Sequence, residues 1–187
     1  MNSLRKRLLI TLLPLLVPAL ALSDNNNYGH NHKNGQRPHG PLVELIREST
    51  ARFRDVNVAI AEGYVRGTPC VSSGMGGAMG VHFVKPDILF NSDGSLSAEL
   101  NAATPEALMY EPQRDGTLRL VGVEFIAAAQ EGLALEGHLL NLVGSPNRYG
   151  LPAFSELHVW AWRDNTQGTF SDHNPDVSCD AQALDGA

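Results

Sequence analysis

The sequence predicts an α+β domain in which one amphipathic helix packs on a curved, mostly antiparallel β-sheet or small β-barrel. Three observations carry that expectation. Apolar residues recur at helical spacing over one early stretch, and four later stretches are short, apolar and bounded by turn residues. The tetrapeptide "QRDG" then joins two of these stretches as a hairpin would.

The chain opens with the basic segment "MNSLRKR", followed by the apolar run "LLITLLPLLVPALA". Small residues at Ala19 to Ala21 and Ala21 to Ser23 complete the tripartite pattern of a signal peptide over residues 1–23. The run is short for a bilayer and holds Pro14 and Pro18, which argues against a retained span. Removing residues 1–23 leaves 164 of 187, a length suited to one domain over 41–187. It also removes Arg5, Lys6 and Arg7 but no acid, so the formal charge moves from −6 to −9. An acidic chain without a basic stripe is not expected to bind nucleic acid, and no later stretch suits a membrane span. The expected location is secreted, periplasmic or extracellular. Oligomeric state is not legible.

Residues 24–40, "DNNNYGHNHKNGQRPHG", are poor in apolar side chains and read as a disordered leader rich in His and Asn. His30, His32 and His39 could hold a metal loosely, but a solvated linker suits the composition better. A helix is expected next, with Pro41 in its first turn and Gly63 at its end. Leu42, Leu45, Ile46, Phe53, Val56 and Ile60 form its apolar stripe.

The strand candidates are "MGVHFV", "ALMYEP", "LRLVGVEFIAA" and "ELHVWAWR". "QEGLALEGHLLNLVG" is ambiguous between a short helix and an irregular lid. Cys70 and Cys179 are the only cysteines, and in an exported chain an even pair is expected to form a disulfide.

Three polar residues interrupt these apolar strands. Side chains alternate faces along a strand, so Glu124 is expected beside Leu118, Leu120 and Ile126, and His158 beside Trp160 and Trp162. His82 lies in a strand apolar on both faces. A carboxylate in an apolar interior requires a partner, and two imidazoles on neighbouring strands supply one. Two His and one carboxylate suit a divalent transition metal with open positions. Zinc is the generic choice, with copper and iron as alternatives. Glu111 is a candidate fourth ligand or orienting group, and Trp160, Trp162 and Met79 are candidate pocket walls. The competing reading is a hydrogen-bonded structural network without metal.

Other motifs carry less. "GMGGAMG" departs from the phosphate-binding pattern G-x-G-x-x-G and leads into a strand. Ser72 and Ser73 lack a G-x-S-x-G elbow. "TFSDHNPDVSC", with Asp172, His173 and Asp176, reads first as a turn-rich clamp beside the cysteine and second as a rim of the site.

The strings "GAMGVHFV", "LRLVGVEFI", "ELHVWAW" and "NPDVSC", in that order, resemble a family of uncharacterised secreted bacterial proteins. That resemblance implies export, a single domain and a role for His82, Glu124 and His158, but no named activity. The family more often carries Trp where this chain has His173, which argues against a ligand role for His173.

The expected function is therefore a secreted metal-binding protein whose β-lined pocket takes a small-molecule ligand or substrate. An enzyme of this kind would be a hydrolase or use dioxygen. The alternatives are a metal-free acid–base enzyme of dehydratase or isomerase type, with Glu124 and His158 as catalytic groups, and a small-ligand-binding module.

Overall fold

Pro41 opens the first helix, as its fixed φ and missing N–H favour. This helix, α1, spans Pro41–Thr50 in a computed structural model that describes residues 40–74 and 76–182. The expected signal peptide and residues 24–39 of the leader lie outside the described residues. The single helix expected as far as Gly63 is interrupted. A 3-10 turn follows at Ala51–Arg54, and Asp55 caps a second helix, α2 (Val56–Ala61), by accepting from Asn57 N–H at 2.9 Å. The tighter turn rotates the apolar stripe. Leu42, Ile46 and Phe53 are buried as expected, whereas Leu45 and Ile60 are 38% and 52% exposed. Gly63 ends α2 in the left-handed region, at φ 95°.

Two short strands, β1 (Val65–Arg66) and β2 (Val71–Ser72), line one edge of β3 (Ala78–Val84). A one-turn helix, α3 (Pro86–Leu89), leads away from β3. The strands β4 (Ala107–Pro112) and β5 (Leu118–Ala128) form the expected hairpin, closed by Gln113 N–H donating to Thr117 O at 2.8 Å. Residues 130–144 form neither a helix nor an irregular lid. They make a tight hairpin of β6 (Ala134–Leu135) and β7 (His138–Leu139) and then an edge strand, β8 (Asn141–Val143). The last strand, β9 (Phe154–Val159), stops four residues before the expected end at Arg163.

The main sheet runs β1-β3-β4-β5-β9-β8, with β2 also on β3 and every pairing antiparallel. It is open and does not close into the barrel allowed as an alternative, because its end strands do not pair with each other. The fold is α+β. One face of the sheet meets the helices, where Leu42, Ile46 and Phe53 join the cluster of Phe83, Tyr110, Phe125 and Leu157. The other face carries two smaller clusters, around Met109, Val121 and Trp160 and around Ala107, Ile126 and Phe154.

A register shift at Met109/Tyr110 brings Gly122 opposite Met109 and Leu120 opposite Tyr110. That bulge inverts the alternation along β5. Leu118 and Leu120, expected beside Glu124, therefore pack on the helix side, and Val121 takes the other face. Glycine is required there, since a Cβ at Gly122 would stand 2.7 Å from Val159 O.

Cys70 and Cys179 form the expected disulfide, with Cα atoms 5.6 Å apart across 109 residues of chain. Such bonds persist in oxidising compartments. Among the described residues, no helix is long and apolar enough to cross a membrane.

Candidate functional site

His82 sits at the middle of β3, opposite Met109 on β4. Its neighbour on the other side is the gap between β1 and β2, where the edge strand loses regular pairing. Thr68 fills that gap. The His82 backbone N–H donates to Thr68 Oγ1 at 3.2 Å, so a hydroxyl replaces the missing ladder carbonyl. The same oxygen lies 3.3 Å from His82 Nδ1. A ring that donates from Nδ1 to Thr68 presents its Nε2 lone pair to the interior.

Glu124 and His158 are register partners across β5 and β9. The pairing puts all three residues on the sheet face away from the helices. His82 Nε2 lies 3.4 Å from Glu124 Oε2, and His158 Nε2 lies 3.8 Å from Glu124 Oε1. The side chains are 2%, 4% and 0% exposed for His82, Glu124 and His158. Among the described residues, neither Nε2 has a hydrogen-bond partner. Donor atoms about 2.1 Å from a tetrahedral ion stand roughly 3.4 Å from one another, close to the spacing observed.

Burial governs the charge state. It lowers both imidazoles to about 3, with His158 adding to the effect on His82 and His173 adding to the effect on His158. The same loss of water raises Glu124 well above the carboxylate range, and the neighbouring Glu156 raises it further. Burial raises Glu156 as well, and its proximity to Glu124 opposes that rise. Burial thus favours neutral imidazoles beside a neutral acid in the metal-free cluster.

Three residues, His82, Glu124 and His158, offer donor atoms within 4.8 Å of one another, and so do Glu156, His158 and Asp172. No family model, curated protein or solved structure matches this chain. The site's chemistry rests on its own geometry.

The other expected site residues divide. Glu111 lies at the far end of β4, where it pairs with Arg119 and accepts from Ser178 N–H at 3.1 Å. It does not join the cluster, because it stands four residues along β4 from Ala107, the residue opposite Glu124. Trp160 is on the cluster's face, packed with Met109 and Val121, and its indole N–H donates to Ser171 O at 2.6 Å. Trp162 is not. Ala161 N–H turns back to Val159 O at 2.9 Å, which ends the alternation of β9 and sends Trp162 to the helix layer. There it donates to Thr50 Oγ1 at 3.0 Å. Met79 is buried, and Tyr149 Oη reaches its sulfur at 3.7 Å.

Sequence reasoning passed over Glu156, Thr68 and Tyr149. Glu156 was legible from parity, since it lies two residues from His158 on one strand. Thr68 and Tyr149 come from irregular segments and leave no periodic signal. Asp172, expected mainly in a clamp, has Oδ1 3.7 Å from His158 Nδ1. Two surface grooves, one around Glu111 and Asp180 and one around Asn91 and Glu106, are lined by none of the three cluster residues.

Proposed function

We propose that this chain is an exported metal-binding protein that holds a divalent transition-metal ion through His82 Nε2, His158 Nε2 and Glu124. One observation carries the reading: two fully buried imidazole nitrogens without hydrogen-bond partners flank a buried carboxyl. Leaving such groups unsatisfied is costly, and an ion satisfies all three together. It takes the place of the proton on Glu124. Zinc fits the donor set, as do copper and iron.

The burial also bears on what an ion there acts upon. With ligands at most 4% exposed, a larger substrate reaches such an ion only if the fold moves. That favours a resident ion, or oxygen or water chemistry, over turnover of a larger substrate by a His–Glu acid–base pair. The signal-like leader, the disulfide and the resemblance to secreted bacterial proteins support export.

The test is zinc content after loading and desalting, measured in the parent and in His82→Ala. The variant is expected to hold one equivalent fewer. Equal zinc in both proteins overturns the reading.

A further inference from the structure

His158 is the one residue common to both groups of candidate ligands, and its two nitrogens face different ways. Nε2 points to Glu124 at 3.8 Å and Nδ1 to Asp172 at 3.7 Å. Among the described residues neither nitrogen has a hydrogen-bond partner, and the side chain is 0% exposed. Glu156 Oε2 is also buried and without a partner, in a residue 5% exposed. A single ion at the Nε2 side would leave Nδ1 and Glu156 Oε2 unsatisfied, a cost that native interiors avoid.

We propose that a second divalent transition-metal ion binds between His158 Nδ1, Glu156 and Asp172, so that the His158 ring bridges a two-metal centre. This rests on the first site being a metal site. The geometry suits it, because each group's donor atoms lie within 4.8 Å of one another. Asp172 is 47% exposed on its side chain, and among the described residues it accepts just one long bond, from Asn141 Nδ2 at 3.4 Å, which leaves room for it to rotate inward. It also gives the second ion a route from solvent that the first lacks.

Charge supports the pair of ions. A ring bound at both nitrogens carries no N–H, and its proton passes to bulk solvent as the second ion enters. Glu124, Glu156, Asp172 and the bridging ring then supply four negative charges against the four positive charges of two divalent ions. The interior remains neutral. Two ions joined through one imidazole stand roughly 6 Å apart, given metal–nitrogen bonds of about 2.0 Å. The rival for the acidic pair is Arg148, whose charge acts on Glu156. It does not satisfy Glu156 Oε2, which has no hydrogen-bond partner.

The experiment uses the full chain with His30, His32 and His39 changed to Gln, which removes the leader histidines as competing ligands. Zinc per chain is measured after loading and desalting, with and without Asp172→Asn. Two equivalents in the parent and one in the variant support the proposal. One equivalent in both overturns the second site and leaves the first standing, whereas none in either overturns both. Two in both places the second ion elsewhere and overturns the proposal. Copper loading gives an independent readout. Two cupric ions sharing the ring couple magnetically, so the paramagnetic resonance signal per copper is weak in the parent and recovers in Asp172→Asn. Full signal from a parent that holds two coppers overturns the bridge.

Discussion

Glu124 and His158 face each other directly across β5 and β9, with His158 Nε2 3.8 Å from Glu124 Oε1. Their pairing places both on the face opposite the helices. A slip of one residue on either strand would carry that side chain into the helix-side core. The sheet register is therefore as much a part of the site as the side chains.

Glu124→Gln keeps the shape of the side chain and removes its capacity to ionise. Burial favours the neutral form of Glu124 in the metal-free chain, and the amide has nearly the same shape, so the metal-free variant is expected within about 1 kcal/mol of the parent. With free zinc at a hundredfold excess over Kd, the parent is expected to gain about 2.7 kcal/mol. The variant should gain far less. Urea unfolding with and without zinc measures this, and equal gains would remove Glu124 from the ligand set.

Glu106, whose charge also acts on Glu124, offers a pH test. Its Oε2 accepts from Ile126 N–H at 3.1 Å, yet burial pushes its carboxyl up to about 7 from an ordinary 4.5. The folded chain then holds this proton more tightly than the unfolded chain. Stability is greatest below about pH 4.5 and falls as pH rises towards 7, by about 3 kcal/mol from this group. Glu106→Gln should flatten that slope. Unfolding free energies across the window decide it, and an identical slope in the variant refutes the assignment.

Gly80 adopts φ 97°, and a Cβ there would stand 2.5 Å from Tyr110 O on the neighbouring strand. Gly80→Ala is expected to lower stability by more than about 2 kcal/mol. Because His82 lies two residues away on β3, zinc affinity should fall as well. Denaturation combined with zinc titration checks both effects. Parent-like values in both would show that the strand yields without strain.

The Cys70–Cys179 bond closes 109 residues of chain. Replacing both residues by Ser is expected to lower stability by about 5 kcal/mol in the chain-entropy account. It also frees the segment next to Thr68, which supports His82. The unfolding midpoint of the double variant is the measurement. A change under 1 kcal/mol would mean that the two segments are held by other contacts.

What the sequence determined by itself is local. Pro41 and Gly63 marked the helical region's limits, "QRDG" marked the hairpin, and short apolar runs marked four strands of the sheet. Three polar residues in those runs pointed to one cluster, since a buried carboxyl and buried imidazoles are costly unless they meet. Tertiary structure decided the rest. The bulge at Met109/Tyr110 reversed the parity of Leu118 and Leu120, and the turn after Val159 sent Trp162 to the other layer. Glu111 was drawn to Arg119, while Glu156 and Asp172 came to His158. Strand periodicity says which side chains share a face only while pairing is regular. Bulges, turns and long-range register depend on packing between segments far apart in the chain, and no local pattern encodes that.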